Sequence, residues 1–136
     1  MIYLLDTDVI SDMVRNPRGS AATALSERDD TKVATSVIVA GELRYGCHKN
    51  GSHRLTERVE ALLAEISVLS VDVETAAEYG RIRAHLEARG QMTGGNDLWI
   101  AAHAISREAV LVSGNSREFK RVPGLQLENW LAPGSS

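Results

Sequence analysis

The chain has 136 residues, one cysteine and a net charge of −3, which makes it one domain with enough length to bury a core unaided. A lone Cys47 excludes a disulfide framework and a cysteine-based zinc site and suggests a reducing cytosol; no apolar run nears the ~20 residues that span a bilayer, and Met1-Ile2-Tyr3-Leu4-Leu5-Asp6 lacks the basic head and long apolar core of a signal peptide. The expectation is a soluble cytoplasmic protein with no membrane partner, whose acidic surface attracts nucleic acid only through a local basic patch, a second chain or a metal at its site.

Ile2 to Leu5 is too short and too apolar for a surface helix and reads as a buried strand, with Thr7 placed to cap a helix running to about Val14. Asn16-Pro17-Arg18-Gly19 breaks that helix. A helix through Ala21 to Glu27 leads to a second strand, Lys32-Val33-Ala34-Thr35. Ser36 is a natural N-cap for the next helix, which carries Val37, Ile38, Leu43 and Tyr45 and places Glu42 about two turns in. Leu55, Val59, Leu62, Leu63 and Ile66 follow the spacing of an amphipathic helix, and Val68-Leu69 reads as a strand. Asp72 to Arg89 forms a long helix with Ala76, Tyr79, Ile82 and Leu86 on one face, closed by Gly90. After the loop Gln91 to Gly95, Asn96 and Asp97 start an alanine-rich helix, and Ala109 to Ser113 is the clearest strand. Residues 132–136 are small and polar and read as a flexible tail. Strand then helix, repeated about four times, calls for an α/β fold with a parallel sheet between helical layers.

Three acids sit in apolar settings: Asp6 at the end of the first strand, Glu42 in Val39-Ala40-Gly41-Glu42-Leu43, and Asp97 before Leu98-Trp99-Ile100. An isolated buried carboxylate is expensive, so such a set suggests a shared divalent cation. In parallel α/β sheets the ligand crevice lies beyond the carboxyl ends of the strands, where Asp6 and the segment Ser113 to Asn115 can converge with Asp97. A cation held there suits metal-assisted phosphoryl hydrolysis.

Leu5-Asp6-Thr7-Asp8-Val9-Ile10-Ser11, Gly41-Glu42-Leu43-Arg44-Tyr45-Gly46, Asn96-Asp97-Leu98-Trp99-Ile100-Ala101-Ala102-His103-Ala104 and Leu111-Val112-Ser113-Gly114-Asn115-Ser116-Arg117-Glu118-Phe119 occur in the order seen in PIN-domain ribonucleases. The chain resembles the VapC toxins of type II toxin–antitoxin systems most closely, and Val122 to Trp130 also looks like that branch. The resemblance implies a three-layer α/β/α PIN domain over residues 1–131 and an endoribonuclease dependent on Mg²⁺ or Mn²⁺, acting on RNA such as initiator tRNA. It further implies a homodimer that forms a hetero-oligomer with a VapB-type antitoxin, meets operator DNA only through that antitoxin, and presents Met13, Val14, Leu43 and Tyr45 to it. Residue by residue, Asp6 and Asp97 match the metal-binding aspartates and Glu42 the glutamate that completes the acidic site. Asn115 falls where many PIN domains place a fourth aspartate, which weakens any second metal site. Thr7 and Ser113 fit as hydroxyl supports. Asp8 is given no catalytic role, and Glu118 and the four histidines read as ordinary surface, loop or helix residues. Arg44 and Arg117 are the cations placed nearest the crevice by sequence.

Two other readings share these residues. Asp6-Thr7-Asp8 satisfies the Asp-x-Asp of haloacid-dehalogenase-like phosphatases, in which the first aspartate is the nucleophile and the second a general acid. The third reading is a PIN-like scaffold that binds a partner without catalysis.

Overall fold

The computed structural model of the chain describes residues 1–131, so the tail assigned to 132–136 lies outside the described residues. The elements in order are β1 (Tyr3–Leu5), α1 (Thr7–Arg15), α2 (Ser20–Ser26), β2 (Val33–Ser36), α3 (Val37–Asn50), α4 (His53–Glu65) and β3 (Ser67–Leu69), followed by α5 (Val73–Ala88), α6 (Gly95–Ser106), β4 (Val110–Val112), α7 (Ser116–Phe119) and β5 (Gln126–Glu128). The five strands form one sheet in the order β3-β2-β1-β4-β5, every pair parallel. Leu5 pairs with Thr35 on one side and Val112 on the other, so β1, β2 and β4 end level.

The chain winds from β1 toward β3, then returns to β4 and β5 on the other side of β1. Right-handed crossovers therefore put α1 to α4 on one face and α5 and α6 on the other. The packing agrees: α1 lies against α2, α3 and α4, and α5 against α6. The three-layer α/β/α expectation holds. Leu4, Leu5, Val33, Leu111 and Val112 from the strands meet Val9, Ile10 and Val39 on one side and Ile82, Leu86 and Ile100 on the other. Residues from Leu98 to Ala104 are nearly all buried, as expected of an alanine-rich helix that is apolar all round.

Several local expectations are corrected. Asp6, not Thr7, caps α1: its side chain accepts from the Thr7 N–H at 2.8 Å, because Thr7 already has helical geometry. Ala76 is exposed on α5; the buried face is Thr75, Ile82 and Leu86, with Thr75 closing a capping box with Asp72. Ser36 does cap α3, accepting from the Ile38 N–H at 3.1 Å, and Gly51 ends that helix at φ 75°, the left-handed region glycine tolerates. β5 and α7 are additional elements, and β5 covers the free edge of β4.

Candidate active site

The direction of winding reverses between β1 and β4, and at such a switch point the strand ends leave a crevice between diverging connections. Asp6 follows β1 there and Ser113 follows β4; the Asp6 N–H donates to Val112 O at 2.9 Å and ties the two ends together. Asp6 is only 6% exposed, and both its oxygens are held: Oδ1 by the Thr7 N–H at 2.8 Å and Oδ2 by the Ser113 hydroxyl at 2.8 Å. Burial pushes its carboxyl up to about 6, against the pull of those two hydrogen bonds and with the help of Asp8 and Asp97.

Glu42 arrives from α3. Thr7 donates its hydroxyl to Glu42 Oε1 at 2.7 Å, and Asn96 Nδ2 donates to Oε2 at 3.2 Å, so α1 and α6 both orient it. Asp97 stands in the first turn of α6, half-buried, and is also raised to about 6. The causes are burial first, then the charges of Glu118 and Glu42. Asn115 bridges the remaining pair, its Nδ2 lying 3.4 Å from Asp97 Oδ2 and 3.4 Å from Glu118 Oε2. The structure thus brings together all four sequence-assigned residues, Asp6, Glu42, Asp97 and Asn115. Thr7 and Ser113 are the hydroxyl supports expected of them.

Among the described residues no lysine or arginine pairs with Asp6, Glu42 or Asp97. Carboxylates crowded until two of them protonate near pH 6, with hydroxyls and amides as their only partners, form a hard-oxygen donor set short of positive charge. Among the described residues no three His, Cys, Asp or Glu side chains stand close enough together to hold a metal ion by themselves. An open site of that kind suits a cation that takes one or two carboxylates and otherwise keeps its waters, as Mg²⁺ does.

The PIN domain family model matches residues 3–125. Ribonuclease VapC2 of Rickettsia felis is 36% identical over 133 residues, covering 96% of this chain and 98% of that protein. The chain belongs to the PIN-domain family, in its VapC branch. Within VapC, the tRNA(fMet)-specific endonuclease of Shigella flexneri is 34% identical over 132 residues, covering 94% of this chain and 97% of that protein. The Rickettsia felis VapBC2 structure, bound to a DNA fragment from its promoter, has a TM-score of 0.88 and 34% identity, covering 96% of this chain and 99% of that one. The aspartyl-phosphate reading of Asp6-Thr7-Asp8 is not favoured. Asp8 Oδ2 instead accepts from the Gly114 N–H at 2.9 Å, holding the loop after β4 against α1. A Cβ at Gly114 would run into Leu131 Cδ1 and lie 2.8 Å from Asp8 Oδ2, so a larger residue there would have to displace those two side-chain ends.

Three expectations change in this VapC chain. Glu118 is a neighbour of Asp97, not a detached surface residue; the i, i+3 spacing from Asn115 across α7 is the signal that could have placed it. Arg44 turns away from the crevice and pairs with Glu60 of α4 at 2.9 Å. His103 is no ordinary helix histidine: it is fully buried, with Nδ1 2.8 Å from Ser36 Oγ and Nε2 3.1 Å from Ser70 O. The Ser70 carbonyl can only accept, so Nε2–H donates to it, and Nδ1 of the neutral ring accepts from the Ser36 hydroxyl. His48 and His53 are exposed, and His85 accepts from Arg89 Nε at 2.9 Å.

A groove of about 660 Å³ runs from the acids between α1, α3 and α4, lined by Thr7, Glu42, Val14, Leu43, Leu55 and Val59 among others. Of the apolar contacts expected for a partner, Val14 and Leu43 line it. Met13 is buried in the core, and Tyr45 is 66% exposed outside it, beside Lys49.

Proposed function

We propose that the protein is a toxin endoribonuclease that hydrolyses phosphodiester bonds with a divalent cation, Mg²⁺ or Mn²⁺, held by Asp6 and Asp97 and bordered by Glu42 and Asn115. The observation that carries this is the convergence of four carboxylates, Asp6, Glu42, Asp97 and Glu118, from four segments at the β1/β4 switch point, with no ion pair to a cationic side chain among the described residues, in a VapC chain. When bound, the cation supplies Lewis-acid polarisation of the phosphodiester and eases formation of a water-derived nucleophile. The chain's own groups do the positioning. Ser113 and the Thr7 N–H fix the two oxygens of Asp6; Thr7 and Asn96 fix those of Glu42; Asn115 donates to both Asp97 and Glu118. Hydrolysis adds water across one P–O bond, and the acids at the rim are the groups able to take up its proton.

A small structured RNA is the substrate class, with initiator tRNA first to be tested because the Shigella flexneri relative carries that specificity in its name. A VapB-type antitoxin would lay an apolar segment along the α1/α3/α4 groove and offer a cation to the carboxylates at its mouth. The fold neighbours that are VapBC complexes support such a pairing. Subunits are expected to pair as a homodimer, which light scattering would report. The deciding experiment sequences RNA 5′ ends after induction without antitoxin, with purified protein tested on initiator tRNA in the presence and absence of Mn²⁺. New 5′ ends that appear only with active-site carboxylates intact support the reading; intact RNA in both settings sinks it.

A further inference from the structure

The chain carries 15 Lys and Arg against 18 Asp and Glu, and its crevice is lined with carboxylates. A polyanion reaches such a crevice only where fixed cations offset those charges. Arg28, Arg44, Arg81, Arg83 and Arg107 are committed to carboxylates at 2.8–3.7 Å. The α7 segment differs. It leaves the same sheet edge as Asp6, and Asn115, just before it, reaches Asp97 and Glu118. The Lys120 N–H donates to Ser116 O at 2.9 Å and the Arg121 N–H to Glu118 O at 3.2 Å, which carries the helical path on to Arg121. Along that path Arg117, Lys120 and Arg121 recur at i, i+3 and i+4 on one face, while Phe119 points the other way and is buried. Arg117 and Lys120 are exposed, Arg121 is half-buried, and none of the three forms an ion pair among the described residues.

We propose that Arg117, Lys120 and Arg121 form a phosphate-binding ridge that grips the RNA backbone to one side of the bond to be cut. This rests on the ribonuclease reading above. The backbone positions of all three lie within about one helical turn, ~5 Å along the path, of Glu118, which sets the ridge beside the acids. The strand is held by the ridge while its scissile phosphodiester faces the carboxylates. Contacts of this kind position the chain and carry no sequence information, so the ridge sets affinity and leaves the cut site alone.

The test compares full-length protein carrying R117Q, K120Q and R121Q with protein carrying R81Q, R83Q and R89Q, an equal change of charge on α5 and its C-cap. The probe is fluorescein-labelled initiator tRNA, bound in chelator so that nothing is cut, across a salt series. The ridge variant should lose about 2 to 3 from the slope of log affinity against log salt, at roughly 0.7–0.9 per phosphate contact. Its kcat/KM should fall about tenfold or more through KM, with kcat and calorimetric Mn²⁺ binding held. The α5 variant should match wild type. An unchanged salt slope, an equal loss in the α5 variant, or a defect confined to kcat or metal affinity overturns the ridge. Wild-type protein that neither binds nor cuts RNA overturns the ribonuclease reading itself.

Discussion

Helix α6 carries a polar cluster in each half, and the two are built to opposite rules. Around His103 the ring and the hydroxyls close on one another: Ser36, Ser70, Ser106 and Thr75 are linked at 2.8–3.1 Å, and Arg107 donates its Nη2 to Ser70 O at 2.7 Å while its Nε has no partner among the described residues. Around Asp97, carboxyls crowd one another, Glu118 directly against Asp97, with amides and hydroxyls as the other partners. A closed neutral network rigidifies a fold, whereas a crowded anionic one costs stability that a bound cation can return. The first cluster joins α6 to α3 and to the loop after β3; the second is the one proposed above to hold a cation.

Asp97→Asn should separate the clusters most sharply. Cleavage should fall at least ~100-fold and calorimetric Mn²⁺ affinity should collapse, because a charge that steadies the transition state is gone. The metal-free melting temperature should hold or rise, since a like-charge contact is relieved. An unfolded variant, or one that cuts RNA normally, would place Asp97 with the structural groups. His103→Leu should do the reverse. It leaves Ser36 Oγ and Ser70 O without their buried partner and should cost about 2–4 kcal/mol in urea unfolding, with metal affinity of the folded protein unaltered. A stability loss near zero would deny the network its role.

The clusters also titrate in opposite senses. Asp6 and Asp97 are raised from 3.8 to about 6, so the folded chain holds their protons more tightly; that contribution is full below 3.8 and lost as pH rises through about 6. For buried Asp6 this amounts to at most about 3 kcal/mol. His103 is lowered from 6.5 by burial, so its contribution is present above 6.5 and lost as pH falls toward its folded value. Melting curves without metal should show Asp97→Asn gaining on wild type as pH climbs from about 4 to about 7. Added Mg²⁺ should stabilise wild type clearly only above about pH 6, where protons no longer compete. The smallest expected effect is Arg44→Ala, within about 0.5 kcal/mol in stability and unchanged in cleavage, because its exposed pair with Glu60 touches neither cluster. A large loss of cleavage there would return Arg44 to the site.

Periodicity and apolar runs made β1, β2, β4 and the long helices legible, because burial on both faces leaves an unbroken hydrophobic signature. It failed for β5, where Gln126-Leu127-Glu128 is a partly exposed edge strand, and for α7, whose four residues are too few to show a period. Asp6, Glu42, Asp97 and Asn115 were legible as motifs. Glu118 was not, since its meeting with Asp97 depends on how the loop after β4 folds. Arg44 misled for a simpler reason: two residues on from Glu42 is ~200° around a helix, which aims the side chain away from the crevice. His103 hid in an apolar stretch, and its two partners come from segments 67 and 33 residues earlier.

The loop that carries Asn115 is fastened by the last elements of the described chain. The Ser113 N–H donates to Glu128 O at 3.0 Å, and Leu131 packs over Gly114. Translation delivers those residues after every carboxylate of the crevice. A chain ending before Gln126 holds Asp6, Glu42 and Asp97 and keeps the β1–β4 pairing and the Asp8–Gly114 bond, but it lacks the Glu128 and Leu131 contacts that brace the loop carrying Ser113 and Asn115. Shortening the chain by those few residues would therefore loosen one wall of the crevice while leaving every one of its carboxylates in the sequence.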